Sequence, residues 1–374
     1  MTLFFVLLLS LLLGHYPNVL VYLQLGFFPK IYLFDLVVFF IFLKSLLLRK
    51  YRNKKVDFSV LLFLVLNLVL ILLNTKLLFS FGAFFYLFRL GIYLFSYPYF
   101  LYIFKTHPKK FLKSLVWFLL FLNLASLLVF KVYPNLYLPF YDPHRGRLYG
   151  PLFDPNFYAV YLLGVSLFVL DYFIKTKSKI SVISLIISFV SIYLTYSRAG
   201  ILALFLVLLL YLIKTKNVSI LLAILGFIFI LLSSPVYLSR FLFVEGNLDS
   251  FILRLQSYYE GLSLFSTSYI PFGFNNIKIY KYFLSGATSN SSAYTDSLVF
   301  NLLLTGGIFN VLFLVLSLYA LYKKKIPSNT PIYLVPFLLT FTSFVFNTFF
   351  QSYFILLLIW SFTWLLSLNR PKNS

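Results

Sequence analysis

The chain has 374 residues, 61% hydrophobic and 22% aromatic with only 11% charged, which is too apolar for a water-soluble domain of this size. Its formal charge of +22 sits in short lysine-rich clusters between apolar runs, the positive-inside pattern of a membrane protein and not the basic face of a nucleic-acid binder. There is no cysteine, which excludes disulfides, thiol nucleophiles and thiolate metal sites, and the three histidines stand too far apart for zinc-ligand spacing.

A spanning helix needs ~20 mostly apolar residues, and the runs here are continuous, unlike the alternating strands of a membrane barrel. The first, Thr2 to about Phe28, is interrupted by Gly14-His15-Tyr16-Pro17 and reads as one helix or a broken one, with His15 a polar group at a helix interface. It lacks the basic start and small-residue cleavage site of a signal peptide. Spans follow at about Ile31 to Leu48, Val56 to Leu73, Leu78 to Phe104 and Phe111 to Phe130. A segment from Lys131 to Tyr149 carries YDPHRGRLYG. The sixth span is expected from about Pro151 to Leu170, the seventh from Ile180 to Tyr196, the eighth from Ala199 to Ile213 and the ninth from Val218 to Leu232. After a long polar interval, Ser233 to Asp296, the last three run from about Ser297 to Tyr322, Ile332 to Phe349 and Tyr353 to Leu368.

Placing RKYRNKK in the cytoplasm and alternating makes every inner connection basic, so one orientation holds throughout, with about twelve spans and both termini inside. The expected fold is therefore all-α and polytopic, a single transmembrane domain over 1–374 with one large outer loop at 233–296 that holds short amphipathic helices. Most of the nine acids fall outside: Asp142, Asp154, Glu245, Asp249, Glu260 and Asp296. Lysine dominates inside and arginine outside, and the planar guanidinium is the better group for bidentate recognition of phosphate or carboxylate. No internal repeat of the kind that builds transporters is visible.

Four outer stretches carry the chemistry-bearing residues, each with a structural and a functional reading. In RLYGPLFDPNFYAVYLLG, Asp154 caps a helix that starts at Pro155, or Asp154 and Asn156 face an outer cavity beside Arg145 or Arg147. In TYSRAG, Arg198 snorkels at the interface or binds an anion. In RLQSYYEGLSLFSTSYIPFG, an amphipathic helix lies on the outer surface, and Arg254 and Glu260 are a solvated pair or part of a site. In SSAYTDSLVFNLLLTGGIFN, Asp296 is an N-cap or a carboxylate aimed into a cavity, with Tyr294 beside it. Arg89 lies near the middle of the fourth span, where a charge costs ~2.5–3.5 kcal/mol on insertion scales. Pairing with Asp35 and contact with a lipid head group are both open to it.

These stretches resemble, in their order, the O-antigen ligase/polymerase superfamily. The matching pieces are G-x-x-x-D-P-N-F-Y-A from Gly150 to Ala159, T-Y-S-R-A-G from Thr195 to Gly200, R-L-Q-S-Y-Y-E-G-L-S-L-F with P-F-G-F from Arg254 to Phe274, and T-D-S-L-V-F-N-L-L-L-T-G-G-I-F from Thr295 to Phe309. The resemblance implies a GT-C-like glycosyltransferase of a bacterial inner membrane, multi-pass, with its active site periplasmic. It would use no metal or cofactor, and its partner would be an undecaprenyl-pyrophosphate-linked oligosaccharide in the lipid bilayer. A chain-length regulator protein is a candidate further partner. Ligases carry a His-Asn pair after the large loop. Here that place reads Tyr294-Thr295-Asp296-Ser297, which favours a repeat-unit polymerase over a ligase to lipid A-core. The expected machinery is Arg198 and Arg254, with Arg145 or Arg147, on the pyrophosphate, and Asp296 as base with Asp154 and Glu260 in reserve. A lipid-linked-glycan flippase is the alternative of another class.

Overall fold

A computed structural model describes residues 1–25, 31–73, 81–135, 146–216, 298–322, 330–343 and 352–368, with isolated positions between 226 and 271. Among the described residues every regular element is helical. In chain order these are α1 (Thr2–Leu13), α2 (Tyr16–Leu25), α3 (Leu33–Leu47), α4 (Lys54–Leu73), α5 (Phe81–Leu94), α6 (Tyr97–Thr106) and α7 (Pro108–Val132). Then come α8 (Pro155–Thr176), α9 (Lys179–Leu194), α10 (Arg198–Thr215), α11 (Leu298–Tyr322), α12 (Leu334–Ser343) and α13 (Ser352–Leu368). Among the described residues, five runs are long and apolar enough to cross a membrane, or six if the bent pair α1–α2 is one span, and four shorter apolar helices accompany them. The expected ninth span and most of the 233–296 loop lie outside the described residues. Exposed Phe58, Leu61, Val65, Leu68 and Leu72 along α4 show an outer surface made for hydrocarbon, since water would not tolerate so continuous an apolar face.

The bundle is built around α8. Apolar on every side, it packs against α7, α9, α10, α12 and α13 and buries Tyr158, Tyr161, Leu162, Val165, Phe168 and Val169 completely or nearly so, as a helix without a polar face must. In lipid no hydrophobic force drives helix against helix, so close van der Waals approach and interhelical hydrogen bonds carry the packing. Gly164 lets the Leu357 side chain of α13 reach the α8 backbone. On α9 a stripe of buried serines, Ser181, Ser184, Ser188 and Ser191, faces its neighbours. Ser188 pairs with Ser166 of α8 at 2.9 Å and Ser184 donates to the Val116 carbonyl of α7 at 3.3 Å.

Helix breaks and boundaries have local causes. Of its two expected readings the first run takes the broken one: it breaks at Gly14, and α1 and α2 meet at 59°. Gly14 has φ 57, and a Cβ there would stand 2.5 Å from Pro151 Cβ, so the break is where the chain presses on the turn before α8. The fourth run is one candidate span, Ala83–Thr106, as expected, with its helix interrupted at Phe95–Ser96. Pro98 in the first turn of α6 lacks an N–H and disfavours helix before it, and the Ser96 carbonyl at the break accepts both the Tyr99 N–H at 3.1 Å and the Ser45 hydroxyl of α3 at 3.2 Å. The sixth run starts at Pro155, later than expected, because Gly150–Leu152 is a short 3-10 turn and Phe153 is left-handed (φ 54). Arg198, expected in a turn, is the first residue of α10, and α11 is kinked at Gly307.

Candidate functional site

One end of the bundle gathers three turns: the α1–α2 break, the segment before α8, and the connection between α9 and α10. Residues 146–156 enter α8 through a complete cap. Asp154 is extended and its Oδ1 accepts the backbone N–H of Asn156 at 2.7 Å and of Phe157 at 3.1 Å, with Pro155 at the first helical position. That satisfies donors an unaided helix start leaves bare. The second turn is capped in the same way. Ser197 Oγ accepts the Gly200 N–H at 3.1 Å, and Thr195 Oγ1 accepts the Ser197 N–H at 3.2 Å while donating to the Ile192 carbonyl at 2.6 Å. Tyr196 between them is left-handed (φ 48). Phe153 and Tyr196 are thus aromatic residues held in a conformation non-glycine residues avoid, one in each turn.

The two turns are joined by Asn156. Its Oδ1 accepts from the Ser197 hydroxyl at 2.8 Å and from Arg147 Nη2 at 3.2 Å. Arg147 also donates through Nε to the Thr195 carbonyl at 2.9 Å, and Leu148 N–H donates to the Leu194 carbonyl at 3.0 Å. Below this network α8 and α10 touch: a Cβ on Gly200 would stand 2.5 Å from Ala159 Cβ. The first two motif stretches are therefore one structural unit, and half-buried Arg198 begins its helix beside it.

Tyr237, at the start of the long polar interval, is completely buried against this unit. Its hydroxyl donates to the Tyr193 carbonyl, and its ring lies 5.0 Å from Tyr193 and 5.3 Å from Tyr196. Nothing in the sequence singles it out among thirty tyrosines. Tyr149, in the segment before α8, donates to the Tyr133 carbonyl at 3.2 Å. Burial pushes its phenol up to about 12, so at neutral pH it is a proton donor and no base.

Arg89 belongs to a second polar centre. Its Nε meets Asp35 Oδ1 at 3.0 Å, its Nη2 donates to the Ser352 hydroxyl, and its guanidinium lies 5.5 Å from the Tyr32 ring centre. Asp35 also accepts from the Tyr93 hydroxyl at 2.6 Å and from the Tyr32 backbone at 2.9 Å. Of the two readings of Arg89, pairing with Asp35 is the one the geometry contains. Tyr32 stacks on the His15 ring at 4.3 Å, and the His15 backbone N–H donates to the Pro151 carbonyl at 3.0 Å. A continuous run of contacts thus connects Arg89 to the turn before α8.

The third and fourth motif stretches also meet. A Cβ on Gly307, at the α11 kink, would come within 2.9 Å of the Pro271 ring. Just beyond the kink, Asn310 exchanges two side-chain hydrogen bonds with Asn67 of α4, at 2.9 and 3.0 Å. Five expected site residues, Arg145, Arg254, Glu260, Tyr294 and Asp296, lie outside the described residues. The described members are Arg147 and Asn156 in the shared network, Asp154 on its cap, Arg198 beside it, and Arg89 in its own centre.

Residues 183–315 match the family model described as O-antigen ligase. The matched stretch begins inside α9 and takes in the α9–α10 turn, α10, the long polar interval and the first part of α11 past the kink. No curated protein matches the chain.

Proposed function

We propose that this chain, of which residues 183–315 match a family model described as O-antigen ligase, belongs to the O-antigen ligase/polymerase superfamily and is a repeat-unit polymerase. It would move a growing glycan from undecaprenyl pyrophosphate onto a lipid-linked repeat unit at the periplasmic face of a bacterial inner membrane. Its framework is a GT-C-like bundle of about twelve spans with both termini cytoplasmic, as the basic inner connections indicate. In the reaction a sugar hydroxyl of the acceptor attacks the anomeric carbon of the donor. The bond from that carbon to the pyrophosphate oxygen breaks, and the hydroxyl proton passes to a carboxylate. The leaving group already departs well, so the protein's work is to hold it, neutralise its growing charge and take one proton. Arg198, Arg254 and Arg145 hold the diphosphate, Asp296 takes the proton, and Glu260 and Tyr294 line the acceptor side. Arg147 is assigned here to positioning, because two of its donors already serve Thr195 and Asn156.

The observation that supports this reading best is the contact of Asn156 with Ser197 at 2.8 Å. It joins two arginine-bearing turns, far apart in sequence, at the end of the bundle opposite the lysine clusters. The sequence Tyr294-Thr295-Asp296-Ser297, without the ligases' histidine, supports polymerase over ligase.

The test is the purified chain in nanodiscs with lipid-linked repeat units. A ladder of longer glycans is expected, lost in Arg254→Ala and Asp296→Asn. Near-normal ladders from both variants would overturn the residue assignment. Transfer to lipid A-core alone would make the chain a ligase, and translocation without new glycosidic bonds would make it a flippase.

A further inference from the structure

At the end of the bundle away from the candidate site, α1 and α7 leave a groove of about 370 Å³ open to the membrane. The two helices run in the same direction, since Phe4 near the start of α1 packs on Phe111 near the start of α7 at 4.5 Å. One wall is Phe5, Leu8, Leu9 and Leu12, an i, i+3, i+4, i+7 stripe along α1. The other wall is a matching stripe on α7 that changes character along its length. It begins with Lys110 and Lys113, passes Ser114 and Trp117, and ends in Phe118 and Phe121. Phe5, Leu9, Trp117 and Phe121 are between 39% and 58% exposed, so the apolar floor is open to an occupant.

The gradient has the polarity of one lipid molecule. Helix α7 has 25 residues and is therefore ~37 Å long, against ~30 Å for the hydrocarbon core of a bilayer. Lys110 and Lys113 consequently stand at head-group depth while Trp117 and Phe121 lie among the acyl chains. Orientation alone asks only that lysines be present at this end. It does not ask that two of them share a face with an aromatic stripe opposite an apolar stripe of α1. No acidic residue lines the groove. Basic pockets between transmembrane helices suit anionic head groups.

We propose that the α1–α7 groove seats an anionic phospholipid, its phosphate held by Lys110 and Lys113 and one acyl chain lying between the stripe of Phe5 and Leu9 and that of Trp117 and Phe121. The seat lies at the opposite end of α7 from the Tyr149–Tyr133 contact, so it is separate from the site assigned to transfer and independent of that assignment.

Native mass spectrometry of the full chain, released from nanodiscs of phosphatidylcholine containing phosphatidylglycerol, tests this. The wild type should retain phosphatidylglycerol in preference to phosphatidylcholine. Lys110→Gln/Lys113→Gln should weaken retention on the order of 30-fold, for two lysines at an anionic surface. Lys50→Gln/Lys54→Gln, basic residues at the same end but off the groove, should retain it. Thermal melting confirms that both variants are folded. Should Lys110→Gln/Lys113→Gln destabilise the chain, Leu9→Trp, which fills the groove and leaves the lysines, replaces it and should lower retention likewise. Equal retention of the two phospholipids by the wild type, or unchanged phosphatidylglycerol retention in the groove variant, overturns the proposal. So does displacement of phosphatidylglycerol by an equal amount of undecaprenyl phosphate, which would make the groove a seat for the carrier lipid.

Discussion

Asn156 and Ser197, 41 positions apart in the chain, share a hydrogen bond of 2.8 Å that ties the start of α8 to the start of α10. Both residues lie in or beside helix caps, so the bond fixes the relative height of two helix N-termini as well as two side chains. Asn156 Oδ1 has a second donor in Arg147, whose own second bond returns to Thr195 in the same turn. The result is a closed ring of contacts with one acceptor at its centre.

Removing that acceptor should therefore cost more than one bond. In Asn156→Ala the Ser197 hydroxyl and an Arg147 N–H both lose their partner, a penalty of about 1–3 kcal/mol, and glycan transfer should fall sharply as Arg198 loses its frame. Asn156→Asp keeps an acceptor at the same place and adds attraction to Arg147, so it should melt close to wild type. Equal melting temperatures for Asn156→Ala and wild type would remove the network from any role in the fold.

Asp154 separates capping from chemistry. Its Oδ1 serves two backbone donors, so Asp154→Ala should lose about 1 kcal/mol while Asp154→Asn and Asp154→Ser, which also cap, should lose much less. If the carboxylate only caps, Asp154→Asn keeps its glycan product. A stable Asp154→Asn protein that makes none would show that the charge itself takes part in the reaction, and Asp296 would lose its priority as base.

At the second polar centre the charge balance decides. Arg89 and Asp35 are 14% and 9% exposed, so Arg89→Met leaves a carboxylate buried without its cation, a loss of about 3–5 kcal/mol. In Arg89→Met/Asp35→Asn the amide oxygen still accepts the Tyr32 N–H and the amide NH2 can donate to the Tyr93 hydroxyl oxygen, so the double variant should melt above Arg89→Met alone. A double variant no more stable than the single would mean that Arg89 answers to something other than Asp35.

Much of this architecture was legible where a residue's neighbours in sequence are also its neighbours in space. The apolar runs, the Asp-Pro-Asn start of α8 and the cost of a mid-span arginine all depend on local pattern. Pairings such as Asn67 with Asn310 or Asn156 with Ser197 depend on which helices adjoin, and no single-chain periodicity carries that. Some signals were present and outweighed. Tyr97-Pro98 marks the α5–α6 break, but the apolar run around it reads as one span. The serines at 181, 184, 188 and 191 keep helical spacing on α9, yet they pass for filler in an apolar helix until α7 and α8 are seen to close on them. Tyr237 gives no local cue at all, because its burial depends on a turn forty residues earlier.

A constraint with no flexible side chain to relieve it lies at Ala159 and Gly200. A methyl group on Gly200 would stand 2.5 Å from Ala159 Cβ, and the helix backbones leave neither carbon a rotamer by which to yield. Gly200→Ala must therefore push α10 away from α8, and the separation falls on the nearby Asn156–Ser197 bond and on the Ser197 cap that holds Gly200 itself. In a bilayer, where close approach of small residues supplies much of the packing, the variant should unfold at lower temperature and lose transfer. Ala159→Gly alone vacates one methyl and should be mild, at about 0.5–1 kcal/mol for glycine within a helix. The informative protein is Ala159→Gly/Gly200→Ala, which returns one methyl to the contact from the other side. It should recover both melting temperature and glycan ladder relative to Gly200→Ala. If the double variant fares no better than Gly200→Ala, the defect lies in the glycine's own place in the cap, and the contact between α8 and α10 does not set the geometry of the site.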